Sequence, residues 1–580
     1  MMNARGFVSI AVAVSTLALQ SCNNGSQQQQ SSTSASPAAS PSYEPVTDAR
    51  LVNAAKDPGW LMYLRTYDAR GHVPYTEINT TNVAKLHVVF THDVNLPNGF
   101  EAPPIVNGRT MIVTTPMDHV YALDAVTGKQ LWEYDYQVDK KALRTVCCDM
   151  VNRGVGLYGT NAYMSTLDNH VIALDARDGH VVWNKQISPA GIGYAMTNAP
   201  LVVKGLVIVG DGGGEYGSRG FITALDAQTG DERWRFYTVP APSEPGGDTW
   251  PGQTYQHGGG NPWMPGSYDA STDTLLWGVG NPSPWLWSLR KGRNLYTDSI
   301  IALNPTTGKL KWYFQLTPND TWDYDAVATP VIAEIKLGGT TRRVVYQAGR
   351  NGWFYVIDPS NGKLILAKTF TKATSVTGYD PVRNIGTVDE SMRPTEGHPV
   401  FACPAFFGGD NWWSFSFDPK TGYAYVPTMR TCMQMAAVKP FPFKAGNGYL
   451  EESFTVEPMP GANGWGALQA IDVATGKQVW SKETKMPWND GTLSTDGGLV
   501  FSGTPDQTFY AFDARSGKVL WSQHTSSGII GQPVSYQVDG KQYVAVQTGW
   551  GGVSPFWGGP KMTPLFRHIP LGGRLYVFSL

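Results

Sequence analysis

Charge is scarce in this chain, and neither sign is in excess. Charged residues make up 16% of the 580 residues, and 45 Lys and Arg against 47 Asp and Glu give a formal net charge of −2. A nucleic-acid-binding surface needs a basic patch, because it must neutralise phosphate groups. The sequence therefore predicts no nucleic-acid partner.

Cysteine is also scarce, with five residues, and no Cys-x-x-Cys-His motif occurs. The chain thus lacks the usual attachment site of a c-type haem. With Cys22 set aside as part of a leader, the remaining four cysteines allow three pairings. We favour Cys147 with Cys148 and Cys403 with Cys432, because either other pairing would have to bring two adjacent cysteines within reach of distant partners at once.

The apolar run near the N-terminus, residues 7–14, is too short for a comfortable membrane span. Because it follows Arg5 and precedes Cys22, it predicts a secretory signal over residues 1–22. Residues 19–22 resemble a bacterial lipoprotein box in which Gln20 fits poorly, so lipid attachment at Cys22 and ordinary cleavage nearby both stay open. Residues 23–45 are predicted to be a disordered tether, and the expected location is the periplasm, soluble or lipid-anchored.

Glycine, proline and aromatic residues are abundant, with 64 Gly, 40 Pro, 20 Trp and 27 Tyr, which favours many short β-strands. A repeat accounts for much of this composition. The segment 122–132, Ala-Leu-Asp-Ala-Val-Thr-Gly-Lys-Gln-Leu-Trp, recurs in full or weaker form. The eight copies contain, at the position of the first Asp, Asp124, Asp175, Asp226, Asn304, Asp358, Asp418, Asp472 and Asp513.

Each copy predicts a strand, a tight turn and a second strand. The Asp or Asn bonds back to the turn, the Gly takes a positive φ, and the Trp packs between neighbouring units. A usual period of about 40 to 60 residues suits a four-stranded blade. The predicted fold is therefore all-β, an eight-bladed β-propeller with tryptophan-docking repeats over residues 46–580. Residues 240–299 and 370–401 are predicted to be loops or excursions, and residues 573–580 to pair with early strands and close the ring.

The stretch 317–325, Thr-Pro-Asn-Asp-Thr-Trp-Asp-Tyr-Asp, sets Asp323 and Asp325 at alternate positions after a strand-like run. If the backbone there is extended, the two side chains point the same way. Two carboxylates that face one small volume call for a bound proton or cation. Taken alone, such aspartates more often cap a turn, so the prediction of a site depends on the other motifs.

Those motifs, together with the repeat, resemble the pyrroloquinoline quinone (PQQ) dependent alcohol dehydrogenases of the methanol dehydrogenase large-subunit type, over residues 60–580. The most specific is Val-Cys-Cys-Asp-Met-Val-Asn-Arg-Gly at 146–154. The resemblance implies that a Cys147–Cys148 disulfide lies on one face of PQQ and Trp263 on the other, with Arg153 at the polar edge. It implies that the remaining PQQ contacts are Glu101, Thr197, Gly213, Gly214, Arg350, Asn411 and Trp488.

Two positions depart from the family pattern. A threonine common two residues before the stacking Trp is Asn261 here, and a late tryptophan is replaced by Val553, with Trp550 close by. The first departure puts one hydrogen bond to the cofactor in doubt.

The resemblance also implies one metal ion, held by Glu215, Asn281 and Asp323. Asp323 is then the catalytic base, which takes the hydroxyl proton of an alcohol while hydride passes to PQQ and the metal acts as a Lewis acid. Relatives that use Ca²⁺ usually carry a small uncharged residue two positions later, whereas lanthanide-dependent relatives carry Asp, as Asp325 does. We therefore predict Asp325 as a further ligand and favour a lanthanide(III) over Ca²⁺, because a trivalent ion prefers more anionic oxygens.

The predicted function is oxidation of a small primary alcohol to an aldehyde in the periplasm, with electrons passed to a separate cytochrome c. A homodimer is a further expectation. One alternative is a PQQ dehydrogenase for sugars, polyols or bulky alcohols, since the sequence does not place the side chains that select the substrate. Another is a non-catalytic propeller scaffold similar to outer-membrane biogenesis lipoproteins, which lack the cysteine pair, the metal ligands and the Trp-Asp-Tyr-Asp stretch.

Overall fold

The computed structural model describes residues 43–580, so the predicted signal peptide, Cys22 and most of the predicted tether lie outside the described residues. Within residues 43–580 the fold is all-β, as predicted, and the α-helices are short: Asp48–Val52, Val553–Trp557 and Gly559–Met562. The 3₁₀ turns are Ala54–Lys56, Val83–Lys85, Pro116–Asp118, Ala142–Arg144, Gly214–Tyr216, Gly247–Thr249, Thr254–His257, Trp287–Arg290, Glu390–Met392 and Thr563–Phe566. None of the helices in this range is long and apolar enough to cross a membrane.

Eight sheets in the described range contain four neighbouring antiparallel strands, and we number them along the chain. Sheet 1 contains Ile105–Asn107, Thr110–Thr114, Val120–Asp124 and Gln130–Tyr134. Sheet 2 contains Gly156–Tyr158, Asn161–Ser165, His170–Asp175 and Val181–Gln186. Sheet 3 contains Leu201–Val203, Leu206–Gly210, Phe221–Asp226 and Glu232–Tyr237. Sheet 4 contains Ser267–Asp269, Thr274–Gly278, Ser299–Leu303 and Leu310–Gln315.

The second half of the chain continues the pattern. Sheet 5 contains Val331–Leu337, Thr340–Ala348, Trp353–Ile357 and Leu364–Thr369. Sheet 6 contains Ser416–Asp418, Tyr423–Met429, Gly466–Asp472 and Lys477–Thr484. Sheet 7 contains Leu493–Thr495, Leu499–Thr504, Thr508–Asp513 and Val519–His524, with His72–Val73 added in parallel. Sheet 8 contains Val534–Val538, Lys541–Thr548, Gly573–Ser579 and the early strand His87–Val94. A ninth, three-stranded sheet contains Val400–Ala402, Thr431–Ala437 and Glu452–Pro458.

The repeat forms the contact between consecutive sheets. In its first copy Asp124 accepts hydrogen bonds from the backbone N–H groups of Val126 and Thr127, at 3.1 and 2.8 Å. The indole of Trp132 donates to the carbonyl of Ala176 in the next copy, at 3.1 Å. Its ring lies against Gly179, where a Cβ would come within 2.6 Å of a ring carbon. The same Trp–Gly contact recurs at Trp183–Gly230, Trp234–Gly308, Trp312–Gly362 and Trp480–Gly517. The predicted packing of Trp between units is therefore confirmed.

The longer intervals contain more strand than we predicted. Residues 240–299 include the first two strands of sheet 4. Residues 370–401 include the hairpin Val376–Asp380 and Ile385–Val388, which joins the edge of sheet 4 in parallel with Leu310–Gln315. Both intervals lack a copy of the repeat, and with it the turn residues that predicted strands elsewhere in the chain.

The pairing of the last strand with an early one is confirmed. Gly573–Ser579 pairs antiparallel with His87–Val94, with His87 opposite Ser579 and Val94 opposite Gly573. The two ends of the described chain therefore share one sheet.

Candidate active site

A cavity with an empty volume of about 850 Å³, part of it open to solvent, is lined by loops from one end of the sheets. Each of these loops either precedes the first strand of a sheet or follows its second strand. Because the two strands are antiparallel, both positions lie at the same end of the sheet. The cavity gathers most of the predicted site residues: Glu101, Cys147, Cys148, Arg153, Thr197, Gly213, Gly214, Glu215, Trp263, Asn281, Asp323, Arg350 and Asn411.

Arg153 joins three of these residues on one side of the cavity. It forms an ion pair with Glu101 at 2.6 Å and donates to the hydroxyl of Thr197 at 2.6 Å. Its guanidinium carbon lies 5.0 Å from the ring centre of Trp263 and 4.7 Å from that of Trp412. Burial raises the pKa of Glu101 to about 7, although the positive charge of Arg153 opposes that shift.

The vicinal cysteines form a disulfide, and so do Cys403 and Cys432, which confirms both predicted pairings. The first disulfide lines the cavity. The backbone at Cys148 and Asp149 is left-handed, with φ of 71° and 88°. The carboxylate of Asp149 stabilises this turn by accepting from the backbone N–H groups of Gly99 and Gly552, at 2.7 and 3.1 Å. The loop that carries the disulfide is therefore attached to two other cavity segments.

The argument from an extended backbone at Asp323 and Asp325 is wrong, because no strand forms there and Asp323 has a φ of 59°. The cause is Asp320, whose carboxylate accepts from the backbone N–H groups of Trp322 and Tyr324, at 3.0 and 2.9 Å, and so bends the chain. The two carboxylates are still brought together, because Arg350 forms ion pairs with Asp323 at 3.0 Å and with Asp325 at 2.8 Å.

Asp325 lies just behind the cavity surface and is not among the lining residues. One of its oxygens accepts from the backbone N–H of Asn281, and the other accepts from the indole N–H of Trp263 at 2.8 Å. In the described structure Asp325 thus pairs with Arg350, and its two hydrogen bonds attach the segments that carry Asn281 and Trp263.

Trp488 is not among the residues that line the cavity, and its role as a cofactor contact stays a prediction. Its side chain is 1% exposed, donates to the hydroxyl of Ser502 at 2.9 Å and packs near Tyr510 and Phe512. The physical reason is that residues 493–504 form the first two strands of sheet 7, and the indole completes the core beneath them.

Several oxygens at the cavity have no donor. Within residues 43–580 the carboxylate of Glu215 forms no ion pair, and Oδ1 of Asp323 is buried without a partner. Burial raises the pKa of both groups, and the neighbouring charge of Asp325 adds to that rise. Hard cations prefer such oxygens, so these residues and the amide oxygen of Asn281 fit a metal ion of this kind.

The predicted ligands are not gathered as a finished cage. Two groups in the described range have carboxylate and histidine ligand atoms within 4.8 Å of one another, and both lie elsewhere, at His72, Asp418 and Asp496 and at Asp175, Asp178 and His180. At the predicted ligands Arg350 pairs with both Asp323 and Asp325.

Sequence reasoning missed an aromatic wall of the cavity. Trp285, Phe406 and Trp557 line it, and the ring centre of Trp285 lies 6.1 Å from that of Phe406 and 6.2 Å from that of Trp557. Val553 and Trp557 both line the cavity from the helix Val553–Trp557. Residues four apart share a helix face, so helical spacing from Val553 was the signal that could have found Trp557.

Comparison with known proteins gives concordant results. The family model "PQQ: Glucose/ethanol/alcohol dehydrogenase, beta-propeller domain" matches residues 60–375 and 367–544, which confirms the predicted β-propeller fold. Quinohemoprotein alcohol dehydrogenase ADH IIB of Pseudomonas putida is 40% identical over 554 residues, covering 92% of this chain and 79% of that protein. The 1-butanol dehydrogenase (cytochrome c) of Thauera butanivorans is 38% identical over 544 residues, covering 89% and 77%. A europium-containing methanol dehydrogenase superimposes with a TM-score of 0.88 at 33% identity, covering 92% of this chain and all of that one.

Proposed function

The chain belongs to the PQQ-dependent quinoprotein alcohol dehydrogenases, and from this premise we propose that it oxidises a primary alcohol to an aldehyde in the periplasm and passes the electrons to a separate cytochrome c. The observation that carries the proposal is the state of Asp323. Arg350 pairs with its Oδ2 and leaves the buried Oδ1 without a partner at the cavity. A positioned carboxylate oxygen with no donor is what a general base requires.

The lining residues fit PQQ. The Cys147–Cys148 disulfide and the indole of Trp263 would face the flat ring system, since stacking on a conjugated ring is favourable. Arg153 and Thr197 would bind its carboxylates, because charge-assisted hydrogen bonds to guanidinium are strong. When bound, PQQ supplies the hydride acceptor. The chain's own contribution is to position the hydroxyl group and to take its proton at Oδ1 of Asp323.

We propose that the metal ion is held by Glu215, Asn281 and Asp323, and that it is a lanthanide(III) with Ca²⁺ as the alternative. The unpaired carboxylate of Glu215 and the second acidic residue, Asp325, support a trivalent ion, because both add negative charge near one volume. The europium in the name of the similar methanol dehydrogenase is consistent with this choice.

The aromatic wall favours an alcohol with an apolar chain over a sugar or polyol. Trp285, Phe406 and Trp557 offer apolar surface, whereas several hydroxyl groups would each need a hydrogen-bond partner there. A separate acceptor follows from the missing Cys-x-x-Cys-His motif, and the similar 1-butanol dehydrogenase carries cytochrome c in its name.

We also infer that sheets 1 to 8 are the eight blades of one ring. The support is the five Trp–Gly contacts, which join sheets 1 to 5 in order and sheet 6 to sheet 7, and the pairing of the last strand with an early one. Lipidation of Cys22 and a homodimer stay predictions from the sequence.

The test is dye reduction by the purified protein loaded with PQQ and either La³⁺ or Ca²⁺, across a panel of primary alcohols, polyols and sugars. We expect turnover with primary alcohols. Asp323→Asn is the matched variant, since it keeps the size of the side chain and should retain the PQQ absorbance while losing turnover by about 10²- to 10⁴-fold. Absence of turnover with every alcohol, or full activity of Asp323→Asn, contradicts the proposal.

A further inference from the structure

Asn261 lines the cavity, and its side-chain oxygen is satisfied by no group of the described chain. Its side chain is 2% exposed, and its amide nitrogen donates to Asp211 Oδ2 at 2.8 Å and lies 2.9 Å from the hydroxyl oxygen of Ser218. Its Oδ1 is buried without a partner, and the residue lines the cavity. A buried carbonyl oxygen without a partner is unfavourable unless a ligand completes it.

The orientation of this amide is fixed by its neighbours. With the amide reversed, Asp211 Oδ2 and Ser218 would lose the N–H groups of Asn261. The other oxygen of Asp211 accepts from the backbone N–H of Phe221 at 2.8 Å, so the carboxylate cannot turn to compensate. The nitrogen of Asn261 therefore stays on Asp211 and Ser218, and the oxygen stays on the opposite side without a partner.

The amide oxygens of Asn261 and Asn281 both lie close to Gly214. The backbone N–H of Gly280 donates to the carbonyl of Asn261 at 3.1 Å, and that of Gly260 donates to the carbonyl of Asn281 at 2.8 Å, so the two segments are paired. A Cβ placed on Gly214 would lie 3.3 Å from Oδ1 of Asn281 and 3.4 Å from Oδ1 of Asn261. Glu215 follows directly in the chain.

We propose that Oδ1 of Asn261 is a further ligand of the metal ion assigned above to Glu215, Asn281 and Asp323, an inference that rests on the proposed function. The carboxylates and quinone oxygens of PQQ are acceptors and cannot satisfy another acceptor, so that apart from its single pyrrole N–H the cofactor offers this oxygen no partner, whereas a cation does. A threonine hydroxyl at this position could donate to the cofactor; the asparagine oxygen cannot. An added neutral oxygen suits an ion of high ligand count, such as Ca²⁺ or a lanthanide, better than octahedral Mg²⁺.

The test uses Tb³⁺ luminescence on the full chain, stripped of metal and reconstituted with PQQ. Titration gives the affinity, and lifetimes in H₂O and D₂O give the number of water molecules on the ion. We expect Asn261→Ala to weaken Tb³⁺ binding about tenfold or more and to add about one water, because solvent replaces the lost oxygen. If Asn261→Ala does not fold, Asn261→Thr takes its place. It introduces the residue that is common in relatives at this position, and it should also bind Tb³⁺ more weakly than wild type.

Asn489→Ala is the control. Asn489 is also buried and also has an unpartnered Oδ1, but it does not line the cavity, so its replacement should leave the affinity and the water count unchanged.

Asn281→Ala tests the metal site itself, because it removes one of the ligands assigned above. If wild type binds Tb³⁺ and Asn281→Ala does not, while Asn261→Ala and Asn261→Thr match wild type in water count and affinity, the role of Asn261 is overturned and the metal site stands. If wild type binds no Tb³⁺, both proposals fail.

Discussion

Replacing Gly362 with alanine tests whether the Trp–Gly contacts hold neighbouring sheets together. Gly362 lies in the turn of sheet 5 with a φ of 70°, and a Cβ there would come within 2.4 Å of a ring carbon of Trp312. The indole of Trp312 donates to the carbonyl of Pro359 at 2.9 Å. The added methyl group can be accommodated only if the indole moves away from this turn.

The magnitude follows from separate contributions. A left-handed conformation costs alanine about 1–2 kcal/mol, and lower entropy of the unfolded chain returns about 0.4–1 kcal/mol. Overpacking costs about 1–3 kcal/mol, and a weakened hydrogen bond to Pro359 adds about 1 kcal/mol. We expect Gly362→Ala to destabilise the fold by about 2–6 kcal/mol, from the sum of these contributions.

Gly422 provides a matched control. It ends the turn between the first two strands of sheet 6, after a weaker copy of the repeat, with a φ of 75°, but a Cβ there would meet nothing within 4 Å. Gly422→Ala should therefore cost only about 0–1.6 kcal/mol, the conformational contribution alone. The assay is guanidinium chloride denaturation followed by circular dichroism. Midpoints are compared instead of extrapolated free energies, because a chain of this size need not unfold in two states.

Equal shifts for Gly362→Ala and Gly422→Ala would refute the reasoning. A further check is Trp312→Ala, which should itself cost about 3–5 kcal/mol. Adding Gly362→Ala to that variant should cost no more than Gly422→Ala does, since the methyl group then has no ring to displace.

Three other predictions concern the site. Asp325→Ala should selectively lose lanthanide-supported turnover, and Asp325→Asn, which removes the charge and keeps an acceptor for Trp263, should do the same; wild type that is fully active with Ca²⁺ and gains nothing from La³⁺ or Ce³⁺ would contradict this. Mass spectrometry under non-reducing conditions should find Cys147 and Cys148 joined in the mature enzyme, and free thiols at both positions in fully active protein would be evidence against a role for the bond. The purified polypeptide should carry no covalent haem band, because it lacks the attachment motif.

Much of the fold was predictable because the repeat specifies its own contacts. Asp124, Gly179 and Trp132 each have a local role that follows from residue type, namely a turn acceptor, a positive φ and a flat apolar ring. The hairpin at 376–388 was missed because it joins the edge of sheet 4 without any copy of the repeat.

The candidate site was predictable where a motif fixes a residue and unpredictable where the tertiary structure decides. Cys147, Cys148 and Arg153 line the cavity as expected. In contrast, Asp323 meets Asp325 through Arg350 and a bent backbone, and no local pattern reports an ion pair with a residue that far along the chain. Phe406 and Trp557 come from segments outside the repeat, so their contribution to the cavity depends on how distant loops meet.

The antiparallel pairing of His87–Val94 with Gly573–Ser579 also constrains the order of assembly. In a chain made from the N-terminus, the early strand must wait for the final residues before its hydrogen bonds can form. Closing a loop of that length costs entropy that contacts within each hairpin do not incur. Sheets 1 to 7 can therefore form their internal hairpins during synthesis, whereas sheet 8 is completed last, and a chain that stops before residue 573 leaves the edges of two strands exposed to pairing with other chains.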